Sequence, residues 1–216
     1  MPPSTFVIRV EGNIASGKSS FLRNFENLVQ DKQFCTVYEP LSEWEKSGIL
    51  EQLYTNPKQY TSLFNTNALF TQIKQYNKYM NCNKVVLIER SLQSTRKVFI
   101  ENLKNKKEFL LDYNILKSNY ETLEQNIDAT NFACNLWIYL KTSPEIAYKR
   151  CIMRNRKEEK DIDLNYLKEL HLLYENWFNN FTPLAPVIIL NANNDMSTNY
   201  EFVRNIIKDI CSKNNI

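Results

Sequence analysis

Glycine and histidine are both scarce in this chain. Three glycines occur among 216 residues, and two of them, Gly12 and Gly17, lie within six positions. Because glycine adopts backbone conformations that other residues resist, the chain concentrates its backbone freedom at one place near its start. The one histidine, His171, lies in a pattern typical of a helix surface. An enzyme that works through a Ser–His or Cys–His pair would depend on that residue, so this class is disfavoured.

Other features are missing as well. No apolar run reaches the roughly 18 residues of a membrane helix, and the first residues lack the basic and apolar regions of a secretory signal. With 27 Lys and Arg against 24 Asp and Glu, the net charge of +3 is too balanced for a general nucleic-acid surface. The five cysteines are scattered and odd in number, which indicates reduced thiols. These absences predict a soluble cytoplasmic protein, one domain over residues 1–216, that binds neither membranes nor nucleic acid.

Five short apolar runs are spread along the chain, at 6–10, 35–38, 85–88, 136–140 and 187–190. Continuous runs that are rich in β-branched and aromatic residues suit strands buried on both faces of a parallel sheet. Apolar residues in the segments between them recur at helical spacing. The sequence therefore predicts an α/β domain with a mostly parallel sheet, and a ligand site beyond the carboxyl ends of its strands.

The strongest motif follows the first predicted strand. Residues 12–19 read Gly-Asn-Ile-Ala-Ser-Gly-Lys-Ser and match the phosphate-loop pattern between a strand and a helix. The glycines let backbone N–H groups converge on phosphate oxygens, and the helix N-terminus adds its positive end. Lys18 would bridge the β- and γ-phosphates, and the Ser19 hydroxyl would bind Mg²⁺. A chance match at a turn is the alternative, but the context favours a site for a nucleoside triphosphate.

Charged residues also follow the second and third predicted strands. Glu39 could take a proton from an attacking hydroxyl, although Glu-Pro is also common in surface turns. Glu89 could hold a metal through water, and Arg90 could stabilise developing phosphoryl charge. The alternative for this second pair is a helix-capping Glu with a surface Arg.

The segment after the fourth predicted strand is dense in charge of both signs. Such a segment is usually the solvated face of a helix. Several side chains could still point towards one anion, because three arginines lie close together in sequence: Arg150, Arg154 and Arg156. Since mobile Arg-rich segments close over phosphates in nucleotide kinases, residues 150–160 are interpreted as a lid.

Together these motifs resemble the deoxynucleoside kinases of the animal and insect type, the group of deoxycytidine, deoxyguanosine and mitochondrial thymidine kinases. The matching segments extend along nearly the whole chain: 11–19, Glu39-Pro40 with Trp44, Glu89-Arg90-Ser91, 139–145, 154–159 and 166–171. The resemblance implies a P-loop kinase fold with a five-stranded parallel sheet flanked by helices and an Arg-rich lid. It also implies an ATP- and Mg²⁺-dependent enzyme of nucleotide salvage, which phosphorylates the 5′-hydroxyl of deoxynucleosides.

The resemblance further implies roles for individual residues. Glu39 would be the general base, Arg90 would hold it in line with the hydroxyl, and Lys18, Arg154 and Arg156 would complete the catalytic set. Ser19 and Glu89 would hold Mg²⁺. The sugar 3′-hydroxyl would be gripped by Tyr54 and Glu159, and the tyrosine would disfavour ribose. ATP would contact Gly12, Asn13, Ala15, Ser16, Gly17, Lys18, Ser19, Ser20, Arg150, Arg154, Arg156 and Asn193. The base would be walled by Ile14, Trp44, Leu50, Phe64, Ala68 and Phe99, although Phe64 and Phe99 could instead belong to the core.

Three pocket positions depart from the family pattern. Asn65 stands where the family usually has a Gln that pairs with the base, and its amide is one methylene shorter. Gln72 and Thr95 stand where thymidine-preferring members carry apolar residues and where cytidine- and purine-preferring members carry Arg and Asp. A buried polar pair that only the right base satisfies can discriminate strongly. These positions favour a purine or a broad range of bases over strict thymidine.

Other interpretations stay open at this point. A deoxynucleoside monophosphate kinase would share the sheet, loop and lid, although Glu39 weighs against a phosphate acceptor. A nucleotide-binding subunit without catalysis and a nucleic-acid-binding NTPase fit less well. The resemblance also implies a homodimer through helices between strands two and three, where Leu69, Ile73 and Tyr76 form an apolar stripe; core packing explains that stripe equally well.

Overall fold

The computed structural model describes residues 5–29, 34–79, 85–126, 133–180, 185–194 and 197–214. These ranges include one sheet with the strands β1 (Phe6–Glu11), β2 (Phe34–Val37), β3 (Val85–Glu89), β4 (Leu136–Lys141) and β5 (Val187–Asn191). The strands are parallel and lie in the order β2-β3-β1-β4-β5. The predicted α/β fold with a five-stranded parallel sheet is confirmed.

Helices flank the sheet. They are α1 (Lys18–Val29), α2 (Leu41–Lys46), α3 (Ile49–Thr55), α4 (Pro57–Asn77), α5 (Leu92–Ser94), α6 (Leu110–Asn126), α7 (Pro144–Arg154), α8 (Leu164–Asn180) and α9 (Ser197–Asn214). A π-helical stretch, Thr95–Ile100, continues α5, and 3-10 turns occur at Glu101–Leu103, Lys107–Phe109 and Lys157–Glu159. None of the helices in the described ranges is both long and apolar enough to cross a membrane.

Side chains of β1 alternate between two packed layers, as the pleat of a strand requires. Ile8 and Val10 lie in a core with Phe21 of α1 and Val203 of α9. Val7 lies in the opposite layer, which α4 covers. Because both faces of the central strands are covered, the strands read as continuous apolar runs rather than alternating ones.

The apolar stripe of α4 belongs to the second layer. Leu69 and Tyr76 are buried in one cluster with Val86 and Ile88 of β3, and Ile73 packs against the same cluster. The expectation that this stripe forms a dimer contact is therefore wrong, because its side chains already cover the sheet. Core packing accounts for the pattern.

The register of the strands brings polar residues together at one edge of the sheet. Val10 lies opposite Glu89, and Glu11 lies opposite Tyr139, so β1 and β3 end within one residue of each other and β4 continues for two residues further. The loops after these strands, and the loop after β2 that carries Glu39, meet beyond the carboxyl ends. This is the edge at which open α/β sheets bind ligands.

Candidate active site

The loop of residues 12–17 joins β1 to α1 and requires glycine at two positions. Gly12 has a φ of 150°, and a Cβ there would lie 2.6 Å from Ser16 Oγ and 2.8 Å from the Leu140 carbonyl oxygen. Gly17 has a φ of 96°, and even Ala15 has a positive φ of 56°. The loop therefore turns tightly before α1 begins, and backbone N–H groups in such a turn can converge on an anion.

Lys18 is buried beneath this loop. Its ammonium donates hydrogen bonds to the carbonyl oxygens of Gly12, at 3.2 Å, and Asn13, at 2.9 Å. Burial, together with the positive charge of Arg90, lowers the pKa of Lys18 to about 8, and neighbouring carboxylates only partly oppose this. A phosphate bound in the loop would supply further negative charge and favour the protonated amine.

The Asn13 side chain supports the loop from behind. Its Nδ2 donates to the Leu167 carbonyl oxygen of α8 at 2.9 Å, and its Oδ1 accepts from the Ile14 N–H at 2.8 Å. Neither Asn13 nor Gly12 lines the cleft, whereas Ala15, Ser16, Gly17, Lys18, Ser19 and Ser20 do. Any contact between Asn13 and ATP would therefore be made by the backbone, because the side chain is bonded to α8.

Ser19 and Glu89 meet where α1 begins and β3 ends. The Ser19 hydroxyl donates to Glu89 Oε1 at 2.9 Å, and the Glu39 N–H donates to Glu89 Oε2 at 3.4 Å. Burial raises the pKa of Glu89, against the opposing charge of Lys18. Hydroxyl and carboxylate oxygens are ligands that Mg²⁺ prefers, so this pair fits an ion that arrives with phosphates and water. In the ranges that the structure describes, no group of three or more His, Cys, Asp or Glu forms a metal site alone.

Arg90 follows β3 in a left-handed conformation, with a φ of 65°. Its N–H donates to the Val10 carbonyl oxygen at 2.9 Å, and its own carbonyl oxygen accepts from the Tyr76 hydroxyl at 3.4 Å. The guanidinium Nε lies 2.9 Å from Glu39 Oε1, in an ion pair whose N–H is not aligned for a hydrogen bond. Burial alone would lower the pKa of Arg90, but the charge of Glu39 and other acidic neighbours raises it. A carboxylate and a permanent cation are thus paired in the cleft.

The other end of this guanidinium is held by Tyr174, which is held in turn by Glu11; neither residue was assigned a role in the site from the sequence. Arg90 Nη1 donates to the Tyr174 hydroxyl at 2.7 Å and to the Gly12 carbonyl oxygen at 3.2 Å. Tyr174, on α8, donates in turn to Glu11 Oε2 at 3.3 Å. Glu11 begins the matching segment 11–19 but was given no role, and Tyr174 belongs to an apolar helical stripe that does not distinguish it from a structural residue.

Aromatic and apolar side chains wall the part of the cleft beyond Glu39. Trp44 is buried, donates through Nε1 to Thr71 Oγ1 at 2.9 Å, and meets the Phe64 ring edge to face at 5.1 Å. The Arg90 guanidinium lies 4.8 Å from the centroid of the Phe99 ring. The predicted wall residues all line the cleft: Ile14, Trp44, Leu50, Phe64, Ala68 and Phe99. The whole cleft has a volume of about 680 Å³, within the usual range for a small-molecule site.

Polar side chains interrupt this apolar wall. Thr95 Oγ1 donates to Gln72 Oε1 at 3.2 Å, although 23 residues separate them in the chain. Asn65 Nδ2 donates to the Thr61 carbonyl oxygen of its own helix at 2.9 Å. Asn65, Gln72 and Thr95 all line the cleft and are buried. The two positions expected to select the base are thus in direct contact, with the Gln72 NH₂ group left for a ligand.

Glu159 binds two arginines of the predicted lid. Arg154 Nη2 contacts its Oε2, and Arg156 Nη1 lies 2.8 Å from its Oε1. Arg156 Nε also pairs with Glu45 of α2 at 3.3 Å. Tyr54 and Glu159 both line the cleft, as expected for a pair that holds one ligand group. The structure therefore holds these arginines at a carboxylate that lines the cleft with Tyr54.

Arg150 and Asn193 connect the loops after β4 and β5. Arg150 Nη2 donates to the Asn193 carbonyl oxygen at 3.3 Å, and Asn193 Oδ1 accepts from the Ser143 N–H at 2.8 Å. Arg150 lines the cleft, but its neighbour there is Asn194 rather than the predicted Asn193. Further lining residues that the sequence did not indicate are Arg23, Tyr38, Leu41, Ser42, Leu53, Tyr166 and Tyr200. Four of them could have been found from a motif: Tyr38, Leu41 and Ser42, which lie beside Glu39-Pro40 and Trp44, and Tyr166, which begins the matching segment 166–171.

The sequence model of the deoxynucleoside kinase family matches residues 8–214, a range that includes every residue of the cleft. The chain belongs to this family. It is accordingly a deoxynucleoside kinase, an enzyme of nucleoside phosphorylation in nucleotide salvage, and ATP is the phosphate donor that family membership implies.

This deoxynucleoside kinase is similar to proteins named for different nucleosides. Human mitochondrial thymidine kinase 2 is 34% identical over 197 residues, which cover 88% of this chain and 72% of that protein. A probable deoxycytidine kinase of fowlpox virus is 32% identical over 197 residues, covering 87% and 79%. A putative kinase of invertebrate iridescent virus 3 is 31% identical over 208 residues, covering 96% and 99%. Since these names differ in the nucleoside, similarity does not select a base.

Proposed function

We propose that this kinase transfers the γ-phosphoryl group of ATP to the 5′-hydroxyl of a deoxynucleoside, with Mg²⁺ bound and Glu39 as general base. The observation that supports this best is the 2.9 Å ion pair of Glu39 and Arg90. It holds a carboxylate in the same cleft as Lys18, where it can accept the hydroxyl proton as attack begins. A monophosphate acceptor needs no base and would be repelled by this carboxylate, which weighs against a monophosphate kinase.

The donor phosphates would lie on the loop of residues 12–17, against the N-terminus of α1 and the Lys18 ammonium. Arg154 and Arg156 would exchange the Glu159 carboxylate for phosphate oxygens, because a guanidinium binds both anions in similar ways. Positioning and charge stabilisation of this kind provide most of the catalysis in phosphoryl transfer.

Ser19 and Glu89 would hold Mg²⁺, the hydroxyl directly and the carboxylate through water. The 2.9 Å hydrogen bond between them supports this, because both oxygens lie close enough to share the surroundings of one ion. When bound, the ion neutralises charge on the β- and γ-phosphates.

The nucleoside would occupy the walled part of the cleft. Tyr54 and Glu159 would hold its 3′-hydroxyl, and Trp44 and the other aromatic residues would enclose its base. The buried contact of Gln72 with Thr95 supports a polar rather than an apolar selection of the base. We therefore infer a preference for purines or a broad range of bases over strict thymidine.

The test is ADP release from ATP and Mg²⁺ with each of the four deoxynucleosides and their four monophosphates. We expect turnover on deoxynucleosides, and Glu39→Gln should lower kcat by about 10²- to 10⁴-fold, the usual contribution of a general base. Glu43→Gln is the matched control, because this carboxylate on α2 pairs with Lys74 at the surface. Turnover on monophosphates alone would contradict the proposal, and none on any compound would favour a non-catalytic subunit.

We also propose a homodimer, formed by apolar side chains that the core leaves exposed. On α4 these are Leu63, 56% exposed, and Phe70, 58% exposed; on α6 they are Leu111, 71% exposed, and Ile115, 46% exposed. A second copy of the same helix pair would cover them. Phe70→Glu should then yield monomers in light scattering, whereas Leu172→Glu, at a 62% exposed position of α8, should not. A monomeric wild type would contradict this proposal.

A further inference from the structure

Tyr174 contacts Arg90 but has no part in the proposed reaction. It is fully buried on α8, with its ring stacked on that of Tyr139 at 5.8 Å and 16°. Its hydroxyl accepts from Arg90 Nη1 at 2.7 Å and donates to Glu11 Oε2 at 3.3 Å. A tyrosine packed only for its ring would need neither contact.

Glu11 fixes the direction in which this hydroxyl donates. It is fully buried at the end of β1, and its Oε1 accepts from the Ser91 hydroxyl at 2.5 Å. Burial raises the pKa of Glu11, against the hydrogen bond from Ser91 and the positive charge of Arg90. Since the Tyr174 hydroxyl donates its hydrogen bond to Glu11, the lone pairs of its oxygen remain to accept one from Arg90.

We propose that Tyr174 and Glu11 are positioning residues that hold the Arg90 guanidinium against Glu39. A guanidinium is a rigid planar fork, so the anchoring of one end determines the direction of the other. The Nε end is 2.9 Å from Glu39 but is not aligned for a hydrogen bond, whereas the Nη1 end donates to Tyr174 at 2.7 Å and, at a longer 3.2 Å, to the Gly12 carbonyl oxygen. The distal anchor therefore sets the orientation of the ion pair. This inference rests on the proposed roles of Glu39 and Arg90.

The decisive variant is Tyr174→Phe, which removes one oxygen and keeps the ring. We expect kcat to fall by about 10- to 100-fold, the usual effect of losing a hydrogen bond to a charged group. The KM values for ATP and for the deoxynucleoside should each change less than about threefold. The matched control is Tyr139→Phe. The Tyr139 hydroxyl also donates to a carboxylate, Glu175 Oε1 at 2.8 Å, but it lies outside the cleft, so kcat should stay unchanged.

A second measurement separates positioning from support of the fold. In an Arg90→Lys background the fork is absent, so Tyr174→Phe should cause no further fall in kcat. If Tyr174→Phe does not fold, Glu11→Gln replaces it, because it keeps the shape of the side chain, removes its charge and leaves one acceptor oxygen where two accept from Ser91 and Tyr174. It should lower kcat in the wild type and leave it unchanged in the Arg90→Lys background.

Three results would overturn the inference: a kcat of Tyr174→Phe within about twofold of the wild type, an equal loss in the Arg90→Lys background, or an equal loss in Tyr139→Phe. A failure of the proposed function would look different, because Glu39→Gln and Arg90→Lys would then both retain the wild-type kcat.

Discussion

Removing the buried hydroxyl of Thr95 should weaken the discrimination of this kinase between nucleosides. Thr95, 3% exposed, donates to the carboxamide oxygen of Gln72, which is 2% exposed. The contact occupies the carboxamide oxygen of Gln72, so in the proposed complex this side chain would offer the base its NH₂ donor. Valine matches the shape of threonine but has no hydroxyl, so Thr95→Val would let the carboxamide turn and offer either its oxygen or its NH₂ group.

The size of the effect follows from the cost of an unpaired polar group. A buried donor or acceptor without a partner costs about 1–3 kcal/mol, which corresponds to about 5- to 150-fold in kcat/KM. In the wild type, a base that presents a donor to Gln72 would carry this penalty. In Thr95→Val the turned carboxamide removes it, so the ratio of kcat/KM between the best and worst nucleosides should shrink by about fivefold or more.

The assay is kcat/KM for the four deoxynucleosides at saturating ATP. Thr122→Val on α6 is the control, because the Thr122 hydroxyl donates to the Ser118 carbonyl oxygen away from the cleft. Ratios within about twofold of the wild type would refute the reasoning. A uniform fall for all four nucleosides would also refute it, since Thr95 would then support the wall rather than the choice of base.

Two further predictions concern the phosphate loop. Gly12→Ala should raise the KM for ATP by roughly tenfold or more, because the added Cβ would overlap the Leu140 carbonyl oxygen. Gly48 is the control: its φ is 75°, but no atom lies close to an added Cβ. Gly48→Ala should therefore lower the free energy of unfolding by about 1–2 kcal/mol and leave the KM for ATP unchanged. Because burial lowers the pKa of Lys18 to about 8, the free enzyme holds the charged amine below that pH and loses it above, so kcat/KM for ATP should fall as pH rises through about 8. A flat profile between about pH 6.5 and 9 would contradict the second prediction.

The fold and the phosphate loop could be predicted because their causes are local. A strand that is covered on both faces is mostly apolar, and residues 85–88 show this pattern as a continuous apolar run. The loop between β1 and α1 could likewise be predicted, because Gly12 and Gly17 adopt φ values that other residues resist.

Contacts that depend on the facing element could not be predicted. The stripe of Leu69, Ile73 and Tyr76 has the spacing of a core face and of an interface, and only the position of β3 decides between them. The charges of Arg154 and Arg156 fit a phosphate or a carboxylate equally well. That both side chains pair with Glu159 in this structure follows from the position of Glu159 after α7, which the sequence does not reveal.

Arg90 is the clearest case of a site residue whose setting is built by the whole sheet. Its partners come from separate elements, namely Gly12, Glu39, Tyr76, Phe99 and Tyr174. They meet because β1 lies between β3 and β4, and on one face of the sheet α4 packs against β3 while α8 packs against β4. The direction of the guanidinium therefore depends on how α8 packs against the sheet. A substitution in the core of α8, such as Leu170→Ala, should consequently lower kcat at temperatures where the protein is still folded, because a small shift of Tyr174 already misaligns Arg90 and Glu39.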